Sequence, residues 1–267
     1  MGKTMRKMIV ASALLALAEL GAADALGTKE GFLLGLDWNL SAGKGESVAT
    51  DSPVRNNGSV YPPAFTSYFD TLSLNNGLKL VLGFQRYSAQ NSALGFNIKA
   101  KIGLGFAQIT NKMTKDVIPG GYVFPSADES VVTSYIPLTL GIEGNFLYDF
   151  FERGAHALGL SLGLGFELMH GIGLGNKFFY KEGQLAEYAD VFNASSINHA
   201  IISPKIGLYY YYGRHQFGLD VRFDKTLGRN FTTVRRNLPN SQAQIEQTLA
   251  LDLGNLWSFG LGYAYRF

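Results

Sequence analysis

"LGFNIKAKIGLGFA", the stretch from Leu94 to Ala107, alternates apolar side chains with small, polar or charged ones. Every second residue from Leu94 to Phe106 is apolar, and the positions between them hold three glycines, an asparagine and two lysines. Successive side chains of a strand point to opposite faces, so this period of two predicts a strand with one apolar face. The other face combines charge with glycine, which weakens a strand and packs nothing.

The same alternation recurs in seven further segments, which are residues 31–41, 78–87, 135–148, 158–169, 200–212, 217–225 and 249–267. Most are as long as a tilted membrane-spanning strand, which needs about 9–11 residues. The long connections are residues 42–77, 108–134, 170–199 and 226–248, and they alternate with short ones. This pattern predicts an all-β, transmembrane, antiparallel up-and-down β-barrel with long extracellular loops and short periplasmic turns. We expect eight strands, or ten if the long connections contain a further pair.

The glycine-bearing face distinguishes a membrane barrel from a soluble one. A soluble barrel points its apolar face inward, which would leave the glycines on the solvent side without a purpose. Within the eight segments, 15 of 16 glycines lie on the non-apolar face. The apolar face, which includes Leu249, Leu251 and Leu253, is therefore expected to contact lipid. Twelve charged residues on the glycine face are expected to point into the lumen: Asp37, Lys79, Lys99, Lys101, Glu143, Glu167, Lys205, Asp220, Arg222, Asp224, Asp252 and Arg266.

Composition and the amino terminus indicate an exported protein. The 267 residues contain no cysteine and carry a formal net charge of +2, which excludes thiol chemistry and gives no electrostatic case for nucleic acid. Residues 1–25 combine a basic start, a short apolar core and small residues at Ala23 and Ala25, as in a signal peptide and its cleavage site. We expect residues 26–267 to form one barrel domain in a bacterial outer membrane.

The chain ends on "LWSFGLGYAYRF", with Gly262, Tyr265 and the terminal Phe267. These residues resemble the C-terminal signal of outer-membrane barrel proteins, which the barrel-assembly machinery reads, although Gly260 stands where a polar residue is usual. The pattern of residues 26–267 resembles small eight-stranded barrels of the OmpA and OmpW kind. The resemblance implies outer-membrane lipid and lipopolysaccharide as surroundings, and we expect no peptidoglycan-binding domain.

Two functions stay open at this point. The first is a narrow, porin-like channel or uptake barrel for modest polar solutes, or for hydrophobic molecules if it works as OmpW-type barrels are thought to. The second is a non-conducting structural or adhesive protein that acts through its surface loops. The balance of six acids and six bases favours charge pairing across a closed lumen, whereas the glycines favour a small open one.

No catalytic, metal or cofactor site is expected. The glycine motifs at 103–106 and 163–166 lie within alternating strands and lack the strand–turn–helix context of a nucleotide site. The four histidines lack metal-ligand spacing, and only His170, close to Glu167, is a candidate for enzyme chemistry.

The long connections contain residues that are candidates for a binding surface. They are the aromatic residues Phe178, Phe179 and Tyr180 and the basic residues Arg229, Arg235 and Arg236. We expect partners among anionic lipopolysaccharide, host molecules or small ligands, and no nucleic acid.

Overall fold

The computed structural model describes residues 29–55, 57–60, 65–117, 123–125, 129–179, 189–193, 197–237 and 244–267. The predicted signal peptide, with Ala23 and Ala25, lies outside the described residues, as does Tyr180. The strands are β1 (Gly31–Val54), β2 (Phe65–Tyr87), β3 (Leu94–Val117), β4 (Val123–Pro125), β5 (Ser130–Arg153), β6 (His156–Phe179), β7 (Ile197–Tyr212), β8 (His215–Leu227), β9 (Asn230–Asn237), β10 (Gln244–Leu251) and β11 (Asn255–Arg266). A short helix, α1, spans Ala189–Asn193.

Eight of these strands close into an antiparallel ring in the order β1-β2-β3-β5-β6-β7-β8-β11, and β11 pairs back with β1. The prediction of an eight-stranded, up-and-down barrel is therefore confirmed. When paired residues are followed once around the ring from Gly31, the path returns to Ser41, a shift of 41 − 31 = 10 residues. In a ring of this size, such a shift corresponds to strands tilted by about 40° from the barrel axis.

The long connections are strands for much of their length, so their prediction as loops is wrong there. β1, β3, β5 and β6 are each 24 residues long, about twice what a membrane crossing requires. β10 pairs with the upper part of β1, and β9 pairs with β10, so this hairpin continues the wall above β8 and β11. The barrel therefore extends well beyond the membrane on the side opposite the short turns.

The last predicted segment, 249–267, is broken at residues 252–254. Leu249, Leu251 and Leu253 are buried inside the barrel, so their prediction as lipid-facing residues is wrong. Gly254 has a φ of +63°, a conformation that favours glycine, and beyond it the alternation is shifted so that Trp257 points outward. Asp252 lies in the break between two inward leucines, where it is partly exposed and pairs with Arg229 rather than with the charges predicted to share the lumen with it.

The outer surface of the ring is apolar. Phe146 is 76% exposed and Leu162 is 64% exposed, values that fit contact with lipid rather than with water. At the end with the short turns, a ring of exposed aromatic residues includes Tyr148, Tyr210, Tyr212, Phe217 and Tyr263, as at a membrane interface. The chain thus has the architecture of an outer-membrane β-barrel.

Among the described residues, no helix is long and apolar enough to cross a membrane.

Candidate functional site

The middle of the lumen is filled by paired charges. Lys101 Nζ lies 2.6 Å from Asp37 Oδ2 and 2.6 Å from Glu143 Oε2. Lys205 Nζ lies 2.5 Å from the other carboxylate oxygen of Glu143. All four side chains are buried, and they come from β1, β3, β5 and β7. Glu143 therefore holds two lysines from different strands.

A second group joins the first through Arg222. Lys79 Nζ lies 2.5 Å from both carboxylate oxygens of Glu167. Arg222 Nε donates to Asp220 Oδ1 at 2.7 Å, and the guanidinium lies 3.6 Å from Glu167 and 3.8 Å from Asp37. The two groups form one connected set of ion pairs, which we call the charge network.

Lys99 and Asp224 complete the balance of charge. Lys99 is half-buried beside the network and lines a cavity of about 30 Å³ with Asp37, Lys205 and Asp220. Asp224 accepts a hydrogen bond from the hydroxyl of Ser258. Five bases then face five acids, as buried charges require. A cavity of this size holds a few water molecules at most, so the described side chains close the lumen at this level.

The glycines of the inner face make room for these charges. A Cβ at Gly103 would lie 2.5 Å from Lys79 Cγ, and one at Gly262 would lie 2.6 Å from Asp37 Oδ1. Either methyl group would displace a member of the network. The predicted combination of glycine and charge therefore has a steric cause.

The remaining charged candidates lie elsewhere. Arg266 is buried at the periplasmic end, where it donates to the carbonyl of Gly213 at 2.9 Å and lies over the Tyr211 ring. Asp252 lies 3.5 Å from the exposed Arg229. Among the C-terminal residues, the Tyr265 and Phe267 rings pack edge to face at 5.0 Å. The assembly role of Gly262, Tyr265 and Phe267 stays a prediction.

A buried cluster at the periplasmic end was missed from the sequence. Asp149 Oδ1 accepts hydrogen bonds from the hydroxyls of Tyr87 and Tyr209, and Asp149 Oδ2 lies 2.5 Å from Lys29 Nζ. The predicted fourth strand stopped at Tyr148. Continuing its alternation by one residue would have placed Asp149 inside.

A chamber lies directly above the charge network, on the extracellular side. Asn39 follows Asp37 by two positions on β1, and Met169 follows Glu167 in the same way on β6. The chamber has a volume of about 40 Å³, so as it stands it holds only a few water molecules. Its apolar lining includes Ala107, Ile109, Tyr135, Met169, Ile197 and Ile201.

One side of the chamber carries hydrogen-bond acceptors. Asn39 Oδ1, Ser73 Oγ, Asn75 Oδ1 and Asp224 Oδ1 are buried and have no hydrogen-bond partner within the described part of the chain, and all four residues line the chamber. A buried acceptor left unpaired costs about 1–3 kcal/mol. A hydrogen-bond donor in the chamber, from water or from a bound molecule, would therefore be favoured.

Helix α1 closes the barrel above the chamber. Val191 and Phe192 are fully buried among residues of the upper wall, and the Phe192 ring packs against Phe69 and Phe178 at 5.6 and 6.5 Å. Of the predicted loop aromatics, Phe178 thus belongs to this plug, whereas Phe179 is exposed.

The wall beside the chamber has a gap in its hydrogen-bonded pairing. Pairing of β3 with β5 runs to Leu104–Leu138 and resumes at Ala107–Tyr135, so Ile136 and Pro137 are left out of it. Proline has no N–H to donate to a ladder, and Pro137 itself lines the chamber. A similar gap at Pro204 interrupts the pairing of β7 with β8. Pro204 is not among the residues that line the chamber, although Asp224, on the opposite side of this gap, is.

The other surface candidates lie on strands. Arg235 on β9 pairs with Glu246 at 2.8 Å. Arg236 is half-buried on the same strand. Their role in ligand binding stays a prediction.

His170 and Glu167 lie on opposite faces of β6. His170 points outward and contacts Asn198 at 2.6 Å, whereas Glu167 points inward to Lys79. Among the described residues, no group of three or more His, Asp or Glu side chains could hold a metal ion. The structure does not assemble the pair considered for enzyme chemistry.

Comparison with known proteins finds likenesses in solved structures only. No family model and no curated protein matches the chain. The outer membrane protein OprG from Pseudomonas aeruginosa is 15% identical, with coverage of 91% of this chain and 99% of OprG and a TM-score of 0.32. The outer membrane protein AlkL is 17% identical, with coverage of 92% and 95% and a TM-score of 0.26. The transport unit of the autotransporter AIDA-I from Escherichia coli is 10% identical, with coverage of 97% of each chain and a TM-score of 0.29. At this level of similarity we draw nothing about function from them.

Proposed function

We propose that this outer-membrane barrel takes up small, mostly apolar molecules and does not conduct solutes along its full length. The observation that carries the proposal is the closure of the lumen by the charge network directly below an apolar chamber. A molecule that reaches the chamber meets ion pairs below it and the interrupted β3–β5 wall beside it. The proposed route enters from the cell surface and leaves sideways into the membrane.

The lining of the chamber favours one class of substrate. Its apolar side chains suit a hydrocarbon body. The chamber has to widen from about 40 Å³ to hold one, and we propose that the flexible Met169 side chain moves to make that room. The unpaired acceptors of Asn39, Ser73 and Asp224 favour a molecule with a single hydrogen-bond donor. A small phenol or alcohol has this chemistry, whereas an ion would have to break the network to pass.

Conductance tests the closure. We expect the folded protein to give no discrete current steps in a planar bilayer, because the charge network leaves only water-sized spaces. Folding is verified beforehand by the heat-dependent gel shift, and a general porin in the same bilayer serves as the control. Reproducible steps from verified protein would contradict the proposal and indicate an open channel.

Uptake tests the substrate class. Cells that carry the protein are expected to take up labelled phenol faster than cells without it, and toluene, which lacks the donor, is expected to gain less. Equal gains for both would contradict the role of the acceptors. No gain for either, together with silence in the bilayer, would leave the non-conducting surface protein as the better reading.

Removal of the α1 plug is expected to speed uptake. Phe192→Ala deletes the ring that fills the barrel above the chamber, and the rate of phenol entry should rise. Phe179→Ala, which removes an exposed ring of the same size, is the matched control and should leave the rate unchanged. A Phe192→Ala rate equal to that of the unmodified protein would show that entry does not pass α1.

A further inference from the structure

A row of polar residues crosses three strands on the outside of the barrel. Lys44 on β1 pairs with Asn255 on β11, and Asn255 pairs with Lys225 on β8. All three side chains are exposed and lie on the lipid-facing side of their strands. Two lysines therefore flank one asparagine on the outer surface.

The row marks the upper edge of the apolar band. The next outward residues below it are Ala42, Trp257 and Phe223, which pair with one another across the same strands. The rings of Trp257 and Phe223 pack edge to face with centroids 4.3 Å apart, and both are about half exposed. The lysines thus stand at the height of the lipid headgroups, above an aromatic surface that suits an acyl chain.

The two lysines are not neutralised within the described part of the chain. No ion pair with Lys44 or Lys225 is found there. The two lysines lie two strands apart, with Cα atoms about 10 Å from each other, so their flexible side chains can converge over Asn255. The acids nearby are Glu46, two residues further along β1, the exposed Asp70, which pairs with Glu46 from β2, and Asp252, which is engaged with Arg229 at 3.5 Å. Arg229 adds a third cation four residues beyond Lys225. An anion held over Asn255 would lie within reach of both lysine side chains.

We propose that Lys44 and Lys225 bind a phosphate group of a phosphorylated lipid in the outer leaflet. Asn255 donates a further hydrogen bond between them, and an acyl chain of the same lipid lies on Trp257 and Phe223. The site faces away from the lumen and does not depend on the uptake function. Charge complementarity and the aromatic surface below select a lipid phosphate over free phosphate.

Native mass spectrometry of the folded protein in detergent tests the site with bisphosphorylated lipid A as the probe. The double variant Lys44→Gln, Lys225→Gln is expected to bind the lipid about 25-fold more weakly, since each lysine near an anionic group contributes about fivefold to the affinity. The matched control, Lys115→Gln with Lys177→Gln, removes two other exposed cations and should bind as the unmodified protein does. Each single variant should give an intermediate loss.

Three results would overturn the proposal. One is that the Lys44 and Lys225 double variant binds the lipid as tightly as the unmodified protein does. Another is that lipid A without its two phosphates binds as tightly as bisphosphorylated lipid A does. The third is displacement of the lipid by millimolar inorganic phosphate, which would indicate a site for free phosphate only. All substituted side chains are exposed, so the heat-dependent gel shift should confirm that every variant folds.

Discussion

Replacement of Glu143 by glutamine is expected to destabilise the barrel by about 3–5 kcal/mol, the usual cost of removing one partner of a buried ion pair. Glu143 gives one carboxylate oxygen to Lys101 at 2.6 Å and the other to Lys205 at 2.5 Å. An amide keeps the size of the side chain but removes its charge. Both lysines would then remain buried with too little negative charge, because only Asp37 and Asp220 lie nearby to share them.

The urea midpoint of the heat-dependent gel shift measures this loss. Glu246→Gln is the matched control, because Glu246 pairs with the exposed Arg235 at the surface, where such a pair contributes about 0–1 kcal/mol. We expect a large shift for the first variant and little or none for the second. Similar midpoints for the two variants would show that the charge network does not hold the barrel together.

The closed barrel and the contents of its lumen could be predicted because the strand period is strict. On each strand, side chains alternate between lipid and lumen, so the position of a residue along the strand assigns its side chain to one face. Lys101 and Glu143 follow this alternation. The alternation does not reveal which charges meet. Lys79 and Glu167 are 88 residues apart in the chain, and their contact depends on the register of all the strands between them. That register follows from the shift of ten residues around the ring, which no single segment contains.

The assignment of faces by strand alternation fails where the chain inserts a turn. The three residues at 252–254 exchange the two faces of the last segment, as a slip of one residue does in any strand. Leu253 therefore points inward and Trp257 outward, although the same period of two places them together in the sequence. Only the glycine at 254 marks the position, and glycines are frequent throughout this chain.

The sequence pattern predicts loops in place of the upper strands because the apolar side chains there face inward, opposite to those of the membrane-spanning segments. In the lower part of β2, Leu80 and Leu82 face lipid. In its upper part, Phe69 points inward and Asp70 points outward. This reversal follows from the change of solvent, since lipid surrounds the lower barrel and water the upper one. The chamber lies at the height where this reversal occurs. At that height the barrel wall, which is one strand thick, has apolar side chains on both its inner and its outer face.

The pairing of β3 with β5 in this wall is interrupted at Pro137. Replacement of Pro137 by valine is expected to reduce phenol uptake to the level of cells without the protein. Valine supplies the N–H that proline lacks, so β3 and β5 can pair continuously from Leu104 to Ala107 and close the side of the chamber. The measurement compares initial rates of labelled phenol entry at equal amounts of folded protein. The variant should also resist urea at least as well as the unmodified protein, because it gains pairing and loses no ion pair.

Pro204→Val is the matched control for this exit. It makes the same change in the other interrupted pairing, between β7 and β8, where the proline does not line the chamber. Uptake that survives Pro137→Val but is lost on Pro204→Val would place the exit at β7–β8. Uptake that survives both would contradict an exit through either proline gap. The break at residues 252–254, where the pairing of β1 passes from β11 to β10 and Leu253 lines the chamber, would then be the next place to test.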